Sequence, residues 1–81
     1  MWEPSALDAL EQLADYMPAA ARDALEAMER MASTGFNYGR QARKGVLWYL
    51  PTAKLGLFYL DDGRTLIVVD VVDARRLREL P

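Results

Sequence analysis

Val46-Leu47-Trp48-Tyr49-Leu50, then Leu55-Gly56-Leu57-Phe58-Tyr59-Leu60, then Thr65-Leu66-Ile67-Val68-Val69-Asp70-Val71-Val72 decide the fold of this 81-residue chain. These are three runs of β-branched, aromatic and aliphatic residues at strand length. Two turn signals separate them, Pro51-Thr52-Ala53 and Asp61-Asp62-Gly63. Alternation puts Val46, Trp48 and Leu50 on one face of the first strand and Leu47 and Tyr49 on the other. In the second, Leu55, Leu57 and Tyr59 oppose Gly56, Phe58 and Leu60. Asp62-Gly63 supplies positive-φ residues for a tight hairpin. The third strand is apolar on both faces: Ile67, Val69 and Val71 on one, Leu66, Val68 and Val72 on the other. A strand of that kind is central or covered on both sides.

Upstream, the period changes from two to 3.6. Ser5 reads as an N-cap, and Leu7, Leu10, Leu13 and Met17 recur at helical spacing, with Ala6 and Ala14 beside them. A first helix is expected over residues 6–16. Pro18 cannot continue that helix but suits the first turn of the next. A second helix is expected over residues 19–32, burying Ala21, Leu25, Met28 and Ala32 with Ala24 and Met31 beside them, and stopping at Gly35. The short joint makes the two helices antiparallel neighbours. After the last strand, Asp73 can cap a short helix over residues 74–80, whose Leu77 and Leu80 are expected to fold back on the face that the helical pair leaves uncovered. The fold class read from this order is α+β: an N-terminal helical hairpin packed on a three-stranded antiparallel β-meander, with a short C-terminal helix, in a single domain covering residues 1–81.

Composition narrows the chemistry. There is no histidine and no cysteine, so disulfides, thiolate nucleophiles and the usual zinc ligands are excluded, and no cofactor or metal site is expected. No run approaches the roughly 20 apolar residues of a membrane span. The start, Met1-Trp2-Glu3-Pro4, has neither a basic nor an apolar leader region, so a cytoplasmic location is expected. The net charge of -2 argues against strong nucleic-acid binding. Its distribution is uneven: residues 1–34 carry seven acids and two bases, residues 35–81 carry eight bases and five acids. An acidic helical half thus precedes a basic sheet half. That is either the ordinary charge of solvated helix faces or a basic surface that meets an acidic partner.

The segments "EPSALDALEQL", "GRQARKGVLWYL", "KLGLFYLDDGRTLIVVDVV" and "DARR" together span nearly the whole chain, in the order helix, helix, strand, strand, strand and a basic exit. In this order the chain resembles the RelE/ParE family of small bacterial toxins. That family begins with an additional strand before the first helix, where this chain has only Met1-Trp2-Glu3, so one sheet edge is expected to lack a partner. The ribonuclease branch cuts messenger RNA on the ribosome with basic residues on the sheet. Carried over, its two lysines of the first strand fall on Leu47 and Tyr49. Its arginine of the second strand falls on Leu55, with Lys54 one place off. Its arginine after the last strand is matched by Arg75, and its C-terminal tyrosine falls on Pro81. One match in five points away from cleavage, and a chain without histidine has no good general base near neutral pH. The resemblance therefore implies a ParE-like toxin, or toxin homologue, of a type II toxin–antitoxin system. It would act by protein binding on a gyrase or ribosome target and be neutralised by an antitoxin. A RelE-type endoribonuclease and a non-toxic, self-associating module (a homodimer) are the alternative readings.

Candidate residues follow from these readings. A catalytic cluster would have to come from Lys54, Arg64, Arg75 and Arg76. A partner-binding surface is expected from Arg40, Arg43 and Lys44 ahead of the first strand, with Tyr49, Leu66 and Val68 on the free face. Asp70, an acid inside an otherwise apolar strand, is either solvated or paired with a base such as Lys54 or Arg64.

Overall fold

The computed structural model describes residues 1–42, 47–52 and 54–74. Two helices, α1 (Pro4–Ala14) and α2 (Pro18–Thr34), precede four strands: β1 (Arg40–Gln41), β2 (Leu47–Pro51), β3 (Leu55–Asp61) and β4 (Leu66–Asp73). The strands form one antiparallel sheet in the order β1-β2-β3-β4. The α+β class and the helical pair stand. The meander gains a strand, because Arg40 and Gln41 pair with Tyr49 and Trp48. Beyond Ala74, the C-terminal helix expected over residues 74–80 lies outside the described residues, as do Arg43, Lys44, Val46, Arg75 and Arg76.

Both helices begin on a proline at the first turn, where the missing N–H costs no intrahelical bond. Glu3, not Ser5, is the N-cap residue of α1, and no side chain caps it. Gly35 ends α2 in the left-handed conformation, with φ 71°, and its N–H is donated to the Met31 carbonyl. Ala6, Leu10 and Leu13 of α1 are buried, as are Ala20, Ala21, Ala24, Met28 and Met31 of α2. The buried stripe of α2 is thus turned from the expected one: Leu25 is half-buried and Ala32 exposed. Small residues at positions 20, 21 and 24 let α2 lie close to its neighbours. The core is completed from one face of the sheet by Leu50, Leu55, Leu57, Tyr59, Val68 and Val71. Fully burying side chains of this kind is worth about 1.5–3 kcal/mol each.

The expected face assignment holds for β2 and β3 and fails halfway along β4. Tyr59 pairs with Val68 and Phe58 with Asp70, so Val69 is an extra residue, a β-bulge. Leu66 and Val68 face the helices before the bulge, and Val71 and Asp73 after it. Uninterrupted alternation from Val68 would have carried Asp70 into the core. The bulged residue keeps that carboxylate out and turns Asp73 inward in its place, where it is buried. Asp70 is accordingly exposed.

The β3–β4 connection also differs from a two-residue primed turn. Only Gly63 takes a positive φ there, 88°, and no non-glycine residue does so among those described. Asp62 stitches the turn through its side chain instead. Its Oδ1 accepts the Arg64 and Thr65 N–H groups at 2.9 and 2.8 Å, while Asp61 Oδ1 accepts that of Gly63 at 2.8 Å.

Candidate functional site

The helices cover one face of the sheet; the other, which no described element covers, holds the candidate site. Directly opposed residues share a face, so the strand register arranges this surface in three files. Leu47, Leu60 and Ile67 make the first, and Pro51, Gly56 and Val72 the third. The middle file crosses all four strands: Arg40, Tyr49, Phe58, Asp70. Its two rings meet with centroids 4.9 Å apart at a tilt of 48°. Leu47, Tyr49, Phe58, Leu60, Ile67 and Val72 are all half-buried, and none belongs to the packed core.

Gly56 shapes the middle of this surface. A Cβ placed there would lie 2.5 Å from one Tyr49 ring carbon and 2.7 Å from another. The Tyr49 ring therefore lies down over the glycine, bridging the second and third files, and leaves Gly56 buried. A low aromatic shelf results, with a cation at one end and an acid at the other, both exposed.

The β4 edge of the sheet is less open than the chain order suggests. Trp2 pairs in parallel with Val68. Glu3 N–H donates to the Val68 carbonyl and Val68 N–H to the Met1 carbonyl, both at 2.9 Å. The Met1 amine donates to the Leu66 carbonyl at 2.8 Å. The three-residue stub expected to leave this edge bare thus covers its first part. Beyond it comes the bulge, and then Asp70 Oδ1 accepts the N–H of Val71 at 2.8 Å. An amide used in this way is not offered to an added strand. The carboxylate singled out in the sequence is a guard on the edge; neither Lys54 nor Arg64 is its hydrogen-bond partner.

The remaining candidate residues are dispersed. Val68 is 1% exposed, packed beneath the helices, and Leu66 packs against the same core, so neither stands on the free face expected for them. Tyr49 and Arg40 do stand on it. Lys54 precedes β3 and Arg64 follows it, which sets them roughly 23 Å apart along a seven-residue strand. A single basic cluster cannot contain both. The Lys54 carbonyl accepts the Ala74 N–H at 2.9 Å, which leaves Lys54 at the exit of β4 and Arg64 at the far end of the sheet.

A cleft of about 260 Å³ opens where α2 ends, lined in part by Asn37, Asp61 and Arg64. Its Asn37 and Asp61 side chains already serve the fold. Asn37 donates to Asp61 Oδ2 at 2.8 Å, accepts the Gly39 N–H at 2.9 Å and accepts the Tyr59 hydroxyl. Burial pushes the Tyr59 phenol above its usual value, so it stays a protonated donor. Among the described residues, no three side chains of metal-ligating type come together. No described helix is long and apolar enough to cross a membrane.

The open face is only partly visible from sequence. Phe58, Leu60, Leu47, Ile67, Val72 and Asp70 do not announce themselves there as members of one surface. Pairing the first two strands through their hairpin brings Phe58 against Tyr49, and that much a register argument could have found. Nothing in the sequence signals the bulge that turns Asp70 into the same file. Compared with known proteins, the chain matches no family model, and no curated protein or solved structure is significantly similar to it.

Proposed function

We propose that the chain is a protein-binding module of the ParE-like kind, a toxin or toxin homologue, held in check by an antitoxin that covers the open sheet face. The observation that carries this reading is the apolar face itself. Six half-buried large side chains lie on it, outside the core beneath the helices. A contiguous apolar surface of this sort on a small domain is a binding surface more often than an accident. Two helices packed on an antiparallel sheet are compatible with the RelE/ParE fold. The guarded edge of β4 directs a partner to the face and away from strand addition. Cleavage is the weaker reading, since Lys54 and Arg64 stand at opposite ends of β3.

Co-expression with the neighbouring open reading frame tests the proposal. The expected result is growth arrest on induction of this chain alone, relieved by the neighbour, with the two proteins co-purifying. A chain that is harmless alone and captures no co-encoded partner overturns it. Primer extension on translated messages separates the enzymatic reading, which requires codon-linked cuts.

A further inference from the structure

The open face is complementary to itself. Arg40 and Asp70 end the same file, three strand spacings or about 14 Å apart, with Tyr49 and Phe58 between them. Consider a second copy turned over onto this face by a two-fold axis lying between the sheets and parallel to the strands. The file is then read in reverse: Arg40 of one protomer stands over Asp70 of its partner, at both ends, while Tyr49 meets Phe58 in the centre. A two-fold axis running along the file would instead set Arg40 over Arg40 and Asp70 over Asp70. Charge alone selects the first arrangement, since both axes leave the strands of the two sheets aligned and about 10 Å apart.

We infer that a second copy of this chain occupies the face, forming a two-fold, sheet-on-sheet dimer closed by reciprocal Arg40–Asp70 pairs. The inference rests on the proposed reading only in taking the face to be a protein-binding surface. A four-stranded sheet whose longest strands have seven and eight residues offers on the order of 500 Å² per protomer. The total of roughly 1,000 Å² is the lower limit of a specific interface. The dimer is therefore weak and reversible, and a partner that covers more area displaces it. Asp70 reaches the partner with Oδ2, since Oδ1 holds the Val71 amide.

Sedimentation of the purified full chain over a wide concentration range tests this. A reversible monomer–dimer equilibrium is expected. Arg40→Glu and Asp70→Lys each place like charges opposite one another twice, and each weakens self-association about tenfold or more. Mixing the two variants restores it. At one end of the mixed dimer the introduced carboxylate then faces the introduced ammonium, while the native pair survives at the other. A cooperative thermal transition in each establishes that both variants fold. A monomer at every concentration, or variants that fold but gain nothing on mixing, overturns the inference. Capture of a co-encoded partner by a strictly monomeric chain would sink the dimer and leave the proposed function standing; a dimer with no such partner would do the reverse.

Discussion

Tyr59 donates its phenolic proton to Asn37, which joins the fully buried centre of β3 to the connection that leaves α2. Asn37 is the busier of the two, since it also accepts the Gly39 N–H and donates to Asp61. Tyr59→Phe removes one bond and strands no buried donor, at a cost of about 1 kcal/mol. Asn37→Ala leaves a buried hydroxyl and a backbone amide short of a partner and costs more, about 2–3 kcal/mol. Urea unfolding of both variants checks the order. The sign of the pH effect follows from burial. The Tyr59 phenol titrates higher in the folded chain than its ordinary value of 10.0, so the unfolded chain loses the proton first. Its contribution is complete below about pH 10 and declines as the pH rises further. Tyr59→Phe lacks that part of the alkaline decline.

Gly39 sits where β1 enters the sheet, and its Cα faces the same hydroxyl. A Cβ there would overlap the Tyr59 hydroxyl and come within 2.9 Å of the Tyr49 carbonyl oxygen. Neither neighbour can retreat, one being fully buried and the other a strand carbonyl. Gly39→Ala is expected to destabilise by about 1–3 kcal/mol. Adding Tyr59→Phe removes the overlap with the hydroxyl but leaves the ring Cζ and the Tyr49 carbonyl oxygen, each 2.9 Å from the added Cβ. The double variant is therefore more stable than the sum of the two losses implies, which a double-mutant cycle in urea measures.

How far the sequence can be read depends on which period governs each element. The hairpin strands are legible because Leu55, Leu57 and Tyr59 alternate without interruption, and all three are 0% exposed. The helices are legible as helices, and Ala21, Ala24, Met28 and Met31 of α2 are buried as expected, but the stripe is turned away from Leu25 and Ala32. Alanine carries little hydrophobic signal, and the close approach at Ala20 and Ala24 outweighs the larger Leu25. Strand β4 misleads because it is apolar on both faces up to Val69, so alternation alone gives no anchor. Asp70 is the one informative residue, and it is informative only with a bulge beside it. The Trp2–Val68 bridge and the pairing of Arg40–Gln41 join segments too short for any periodicity to reveal.

Asp62 organises the β3–β4 turn by accepting two backbone amides. The Arg64 amide, then that of Thr65, hold its carboxyl below the ordinary value of 3.8. The folded state thus favours the carboxylate. Its contribution is complete above the unfolded value and is lost as the pH falls through the folded one. Asp62→Asn keeps an acceptor but not the charge. The variant is expected to be less stable than the parent at neutral pH and to approach it in acid, the difference closing below about pH 4. Urea midpoints of the two proteins between neutral and acid pH make the comparison; a gap that persists unchanged in acid would refute the assignment.

The bulge yields the sharpest structural expectation. Val69 is the unpaired residue between the Tyr59–Val68 and Phe58–Asp70 partners. Its deletion makes β4 regular and leaves every other residue of the strand on its present face: Leu66, Val68, Val71 and Asp73 inward, Ile67, Asp70 and Val72 outward. Deleting Ile67 instead reverses the residue before it, setting Leu66 outward and breaking its pairing with Asp61. The two deletions remove side chains of similar size and hydrophobicity two positions apart, so a composition argument predicts similar effects. Register predicts otherwise: loss of Val69 costs at most about 1 kcal/mol, and loss of Ile67 at least twice that, through a displaced Leu66 and a disturbed Met1–Glu3 bridge. Parallel urea titrations discriminate, and equal losses would show that the extra residue is not what separates Asp70 from the core.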